Sequence, residues 1–298
     1  MVVDAFSRVV RLGEGLASTG RLADAAMDRA LSALSVCADK LRRRRVTLAR
    51  SVATEACRRA ENGVAFVERV QRETGIKLDV ISAQEEARLA VFGCYSLLEA
   101  GNGPALIFDI GGGSTELVLI EMEGEHPRIL DWQSAPWGVV SLTESVSRLD
   151  SSPAGRAETY AQMRARVREA FAGFAARLPI SGALRLLGTS GTVTTLASVH
   201  LRLPRYDRQA IDGLIVSSAE MRAVAVELAG MSIEERMRLP CIGEERADLV
   251  VAGCAILEGI LDLWPAERLG VADRGIREGI LRGLIESAVA ASRRRAGQ

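Results

Sequence analysis

The chain predicts an α/β fold, and three features carry that prediction. The first is Ala105–Glu121, A-L-I-F-D-I-G-G-G-S-T-E-L-V-L-I-E, where two apolar runs meet across glycines. Short apolar runs bounded by glycine read as buried strands. The second is Leu184–Leu187, a strand-like run that enters Gly188-Thr189-Ser190-Gly191-Thr192 and then a helical segment. The third is helical spacing between the strand-like runs, as at Leu22, Ala26, Ala30, Leu34, Ala38 and Leu41.

Composition bounds the class. The 298 residues suffice for one large domain or two ordinary ones. The content of 48% hydrophobic and 26% charged residues is that of a soluble globular protein. Zero formal net charge argues against broad attraction to nucleic acid or an anionic membrane, so phosphate binding must be local. Cys37, Cys57, Cys94, Cys241 and Cys254 show no paired spacing, and with His126 and His200 they form no zinc pattern. They read as buried, reduced thiols. Met1–Arg8 lacks the plan of a signal peptide. No apolar run approaches the ~20 residues that span a bilayer. A cytoplasmic protein is expected.

Taken in order, Ser7–Leu12 reads as a short strand and Leu22–Leu41 as a helix. Arg42–Arg45 closes that helix, where the macrodipole favours cations. Val46–Val52 reads as a strand, Phe66–Gly75 as a helix stopped by glycine, and Leu78–Ile81 as a strand. Ser82 followed by Glu85 is a capping box that opens a helix to about Leu98. Arg128–Trp137 is a third strand beside the glycine hairpin. Val139–Leu149 and Glu158–Leu178 are helices linked through Ser151-Ser152-Pro153. Val193–His200 is a helix, Tyr206–Gly213 an irregular connection, and Ser217–Gly230 a helix with a serine cap. Glu244–Leu263 reads as a long apolar helix and Leu269–Ala272 as a strand. Asp273-Arg274-Gly275 opens a last helix, Ile276–Ala291, before a polar tail, Arg293–Gln298.

The chemistry concentrates at strand ends. Asp109 stands at the end of the first glycine-flanked strand, and Gly111, Gly112, Gly113 and Ser114 follow. A loop nearly without side chains lets backbone N–H groups approach an anion. Asp109 would repel a bare phosphate, so a divalent cation is expected between them, and Mg²⁺ suits carboxylate and phosphate oxygens. The P-loop pattern needs Gly-Lys-Ser/Thr and a helix, and the dinucleotide fingerprint also needs a helix after its glycines. Neither follows Gly113. A hairpin that merely uses glycine is the plain alternative. Gly188-Thr189-Ser190-Gly191-Thr192, at a strand-to-helix turn, is a second candidate anion cradle. The capping box makes Glu85 and Glu86 inequivalent. Glu85 closes the cap, whereas Glu86 is either the chemical carboxylate or a solvated first-turn glutamate.

Ile81–Leu89, Phe108–Leu117 and Gly188–Thr192, with Glu245–Asp248 (E-R-A-D) and Asp273–Gly279 (D-R-G-I-R-E-G), occur in one order along nearly the whole chain. Together they resemble the exopolyphosphatase and guanosine pentaphosphate phosphohydrolase family. The resemblance implies a two-domain fold of the acetate kinase, sugar kinase, Hsp70 and actin group. Its first domain would comprise residues 1–86 with 283–298, and its second residues 87–282. It implies release of the terminal phosphate of polyphosphate or guanosine pentaphosphate, with Mg²⁺ as metal. Glu86 matches the family's general base and Asp109 its metal-linked aspartate. Gly111, Gly112, Gly113 and Ser114 match one phosphate loop, and Gly188, Thr189, Ser190, Gly191 and Thr192 the loop that faces nucleotide in related folds. A homodimer is expected, with no nucleic-acid or membrane partner.

The chain departs from the family at its start. Members begin with a strand, an acidic-glycine phosphate loop and a second strand, and Ser7–Leu12 resembles their third strand. A misassigned or truncated start is expected, which leaves the activity of the chain as written in question. The rival readings are a non-catalytic polyphosphate- or alarmone-binding protein and a phosphotransferase of the same fold group.

Overall fold

The structure, a computed structural model, describes residues 3–146, 152–178 and 184–296. The predicted helix residues 147–149, the linker residue Ser151 and the tail residues 297–298 lie outside them. The chain divides into two compact units, Met1–Ala83 with Gly283–Gln298, and Gln84–Arg282. No described helix is long and apolar enough to cross a membrane.

The smaller unit contains α1 (Leu16–Thr19), α2 (Asp24–Arg43), β1 (Ser51–Ala53), α3 (Glu55–Arg59), α4 (Gly63–Thr74) and β2 (Leu78–Val80). Leu22, Met27, Leu31, Phe66 and Val70 form its core. Gly75, in a left-handed conformation at φ 75°, ends α4 as predicted. Two strand expectations fail here. Ser7–Leu12 forms no strand, and its Val10 carbonyl accepts instead from the Arg29 guanidinium at 3.0 Å. Val46–Val52 shrinks to Ser51–Ala53, the length over which β2 offers a parallel partner. Val46 and Leu48 lie beyond that partner and are exposed.

The larger unit continues with α5 (Ala83–Cys94), β3 (Ala105–Ile110), β4 (Thr115–Glu123), β5 (His126–Ala135), α6 (Val139–Ser145) and α7 (Pro153–Arg177). Then come β6 (Arg185–Thr189), α8 (Ser190–His200), α9 (Arg208–Ile211), β7 (Ile215–Ser217), α10 (Ser218–Gly230) and α11 (Ile233–Met237). It closes with α12 (Val250–Leu263), β8 (Arg268–Ala272) and α13 (Ile276–Ala296), whose last residues belong to the smaller unit. The six strands form one sheet in the order β5-β4-β3-β6-β8-β7. β3, β6 and β8 are mutually parallel, while β4, β5 and β7 pair antiparallel. Side chains alternate across a strand. Leu106, Phe108 and Leu117 therefore join the core with α7, α8 and α12. Ala105, Ile107, Val118 and Leu187 face α5 through Ala87, Val91 and Cys94.

Two further expectations are corrected. Tyr206–Gly213 contains the one-turn α9, capped by Asp207 onto the Gln209 N–H. The long helix begins at Val250, and Glu244–Leu249 is a series of turns. There the Ala247 carbonyl accepts from the buried Arg236 guanidinium at 2.7 Å. The same guanidinium takes the Leu228 and Met231 carbonyls at the end of α10, where a cation suits the helix dipole.

α5 and the start of α13 cross at glycines. A Cβ on Gly93 would overlap the Gly275 carbonyl, and one on Gly279 the Leu89 carbonyl. Gly279→Ala is therefore expected to destabilise by at least the ~1–3 kcal/mol typical of overpacking. Gly283→Ala, where no atom lies within 4 Å of the new methyl, is expected to gain ~0.5–1 kcal/mol from helix propensity. Urea denaturation midpoints of the two variants check both signs.

Candidate functional site

The parallel register brings separate motifs to one place. Asp109 pairs with Thr189, and Thr189 with Ala272. Thus D-I-G-G-G-S, G-T-S-G-T and D-R-G all leave the sheet at the carboxyl ends of β3, β6 and β8. In open α/β sheets that end is where ligands bind. Across the hairpin, Asp109 stands directly opposite Glu116. Both belong to the face that continues Ile107 and Val118 toward α5, and Glu86 is on the first turn of that helix.

Three carboxylates thereby meet in a buried setting, with Glu86, Asp109 and Glu116 only 6%, 8% and 1% exposed. Burial pushes Asp109 up to about 6, opposed by the Ser190 hydroxyl. Burial, then the charges of Glu86 and Asp109, push Glu116 up to about 8. The Ser114 and Ser134 hydroxyls oppose that shift, and Ser134 donates to Glu116 Oε1 at 2.8 Å. Desolvation and like charge both disfavour the ionised form, whereas a donated hydrogen bond favours it.

The remaining predicted residues divide by role. The carbonyls of Gly111 and Gly112 accept from the N–H groups of Val139 and Val140, which seats the hairpin loop on the start of α6. This approach needs Gly138, whose Cβ would overlap the Gly112 peptide. The N–H groups of Gly112 and Gly113 have no backbone acceptor among the described residues. Gly188 lies on the opposite face of the sheet, where a Cβ would meet the Phe108 ring at 2.6 Å. Thr189 Oγ1 donates to the Arg274 carbonyl at 2.5 Å. Thr192 packs on Gly253 of α12. Gly191 faces Arg246 of the E-R-A-D stretch, and Arg246 also donates to Thr195 Oγ1 at 3.0 Å. Glu85 holds Arg88 through both carboxylate oxygens, at 2.7 and 3.0 Å.

Glu116 is the residue that sequence reasoning missed. Its signal was present, since it is a charge inside six consecutive buried strand positions, Thr115–Ile120. Among the described residues no group of three or more His, Cys, Asp or Glu side chains is arranged as a complete metal site. Mg²⁺ does not require one, because it is typically held by one or two carboxylates plus substrate phosphates. Asp109 and Glu116 fit that donor set, and the charges of Glu86 and Asp109 that add to the burial shift of Glu116 are a repulsion that a cation would relieve.

Residues 2–288 match the Ppx/GppA phosphatase family. The chain is 32% identical to exopolyphosphatase 2 of Mycobacterium tuberculosis over 283 residues, covering 92% of this chain and 86% of that protein. It is 29% identical to the guanosine-5'-triphosphate,3'-diphosphate pyrophosphatase of Aeromonas salmonicida over 279 residues, covering 93% of this chain and 53% of that protein. It thus spans about half the length of that longer relative. Among solved structures, an exopolyphosphatase from Cytophaga hutchinsonii superposes with a TM-score of 0.82 at 25% identity, covering 93% of this chain and 87% of that one. A Ppx/GppA family member from Aquifex aeolicus superposes with a TM-score of 0.73 at 28% identity, covering 94% and 88%. The fold is the α/β, actin-like ATPase fold of these structures.

The buried carboxylates give stability a pH dependence of known sign. A carboxyl group whose folded pKa is raised binds its proton more tightly in the folded chain, so stability falls as pH rises through the gap. For Glu116 the gap runs from 4.5 to about 8, and for Asp109 from 3.8 to about 6. Without divalent cations, the melting temperature is therefore expected to fall between pH 5 and 8. Glu116→Gln should flatten that slope. Differential scanning fluorimetry in chelator across this range checks both.

Proposed function

We propose, from the premise that the chain belongs to the Ppx/GppA phosphatase family, that it releases the terminal phosphate of inorganic polyphosphate, guanosine pentaphosphate or both by attack of water. The observation that carries this reading is the convergence of Glu86, Asp109 and Glu116 at the carboxyl ends of parallel strands. Phosphoryl transfer asks for positioning and charge stabilisation more than covalent chemistry.

In this reading Glu86 orients a water molecule and accepts its proton as the water attacks the terminal phosphorus. Asp109 and Glu116 would hold Mg²⁺, which would supply charge neutralisation at the phosphoryl oxygens. The N–H groups of Gly112 and Gly113 point to backbone recognition of phosphate by Gly111, Gly112, Gly113 and Ser114. Gly188, Thr189, Ser190, Gly191 and Thr192 form the second phosphate-side turn, with Gly188 and Thr192 serving it through packing. Phosphate release from polyphosphate and from guanosine pentaphosphate, measured beside ADP formation from ATP with sugars or acetate, tests the reading. Turnover confined to the ATP-dependent assays would replace hydrolysis with phosphotransfer.

Glu86→Gln keeps size and removes the base. It is expected to lower kcat by about 10²–10⁴ and leave substrate binding intact. Glu85→Gln loses the bidentate hold on Arg88 and should cost a little stability with kcat nearly unchanged. An active Glu86→Gln beside an inactive Glu85→Gln would reverse the assignment. Asp109→Ala removes the carboxylate at the end of β3 and is expected to abolish Mg²⁺-dependent turnover. A Mg²⁺ titration of kcat reads this directly, and an unchanged metal dependence rejects the role of Asp109.

A further inference from the structure

The D-R-G turn after β8 and the connection Tyr206–Gly213 have no part in the proposed reaction, and the structure joins them. β7 pairs antiparallel with β8, with Ile215 opposite Gly270 and Val216 opposite Leu269. Ahead of β7, the Gly213 N–H donates to the Val271 carbonyl at 2.9 Å, and the Val271 N–H donates to the Leu214 carbonyl at 2.8 Å. Asp212 is thereby brought alongside the end of β8. Its Oδ1 accepts from the Asp273 N–H at 3.0 Å, and its Oδ2 accepts from Arg274 Nε at 2.7 Å.

The turn held in this way borders the candidate site. The Arg274 carbonyl accepts from Thr189 Oγ1 at 2.5 Å. A Cβ on Gly275 would stand 3.2 Å from that same hydroxyl and 4.0 Å from Asp109 Oδ2. The turn is therefore the wall beside Thr189 and Asp109 on the β8 side. Two other side chains also grip it. Glu278 Oε2 accepts from the Gly275 N–H at 2.9 Å, and Arg208 Nη2 donates to the Asp273 carbonyl at 2.9 Å. The side chains of Glu278 and Arg208 are 24% and 39% exposed, whereas that of Asp212 is only 10% exposed. Hydrogen bonds to an ionised group are stronger than neutral ones, and solvent screens the exposed grips more than the buried one. Asp212 is the firmest of the three.

We propose that Asp212 is a positioning residue that sets the D-R-G turn against Thr189 and Asp109 and so fixes the β8 side of the site. The inference rests on the phosphohydrolase reading and adds to it a residue that acts through the backbone of Arg274 and Gly275. Without the Asp212 carboxylate the Arg274 carbonyl can shift, and Thr189 with it. Displacements of about 1 Å can cost ~10²-fold in rate. Thr189 stands in the phosphate-side turn and Asp109 on the metal side, so substrate and Mg²⁺ responses should weaken together.

Asp212→Asn keeps an acceptor for the Asp273 N–H and loses the charge that holds Arg274. It is expected to lower kcat/KM for polyphosphate at least fivefold and to raise the half-saturating Mg²⁺ concentration several-fold. Val167→Ala is the control for lost stability alone, since Val167 is fully buried in α7 against Gly259 of α12. Its melting temperature should fall while kcat/KM and Mg²⁺ response stay within twofold of the wild type. A double-mutant cycle reads the route. Thr189→Val cuts the bond to the Arg274 carbonyl, so adding Asp212→Asn to it should lower kcat/KM less than twofold further. An active wild type whose Asp212→Asn variant keeps kcat/KM and Mg²⁺ response within twofold overturns the role of Asp212 alone. Multiplying losses in the double variant, or an equal loss of activity in Val167→Ala, overturn it too. A wild type that releases no phosphate from polyphosphate or guanosine pentaphosphate overturns the phosphohydrolase reading itself, and this inference with it.

Discussion

The site depends on one constraint, the parallel register that sets Asp109 beside Thr189 and Thr189 beside Ala272. Three segments separated by about eighty residues each arrive at the same edge because their strands end together. Slipping β3 by one residue would turn every side chain to the other face. Asp109 would then enter the apolar layer with α7 and α12, and Phe108 would leave it. The buried stretches 105–110 and 115–120 carry charge only at Asp109 and Glu116, a pattern that resists such a slip.

Those two residues set the electrostatics of the candidate site. A carboxylate inside a strand has little access to water, and two of them face each other across the hairpin. With Glu86 added from α5, the cluster stores unfavourable electrostatics, which the fold tolerates through hydroxyl donors. Ser134 donates to Glu116 at 2.8 Å. A fourth buried acidic residue shows the contrasting solution. Glu258 in α12 is 3% exposed, yet Tyr160 donates to it at 2.5 Å and Arg222 at 3.2 Å. That glutamate has a cation of its own, and burying a charge with a hydrogen-bonded partner is a structural arrangement. The cluster of Glu86, Asp109 and Glu116 is the kind of negative density that a divalent ion and a phosphate can complete.

Glycine has several uses around the site. Gly138 admits the hairpin loop to α6, Gly188 admits the Phe108 ring, and Gly93 with Gly279 lets α5 and α13 touch backbone to backbone. In each case a side chain would push apart elements that carry Glu86, Asp109 or the turn after β8. Close packing therefore fixes the positions of the carboxylates as firmly as hydrogen bonds do.

The sequence alone determined the α/β class, the glycine hairpin at Ala105–Glu121, the helix stop at Gly75 and the family resemblance. These are local matters, set by periodicity, turn chemistry and motif order. It also marked Glu86 and Asp109, since a cap and a strand end are visible in a few residues. Only the tertiary structure decided where strands stop, because a strand exists where a partner offers hydrogen bonds. Val46–Val52 shrank for that reason, and Ser7–Leu12 formed none. Ala247 was drawn into a turn by Arg236, eleven residues away in the chain, a contact that helical periodicity cannot show. Glu116 gained meaning only when β3 and β4 paired, because its importance lies in which charges stand opposite and beside it. Ser190 shows the same limit, since a serine in G-T-S-G-T carries no mark of its φ of 83°.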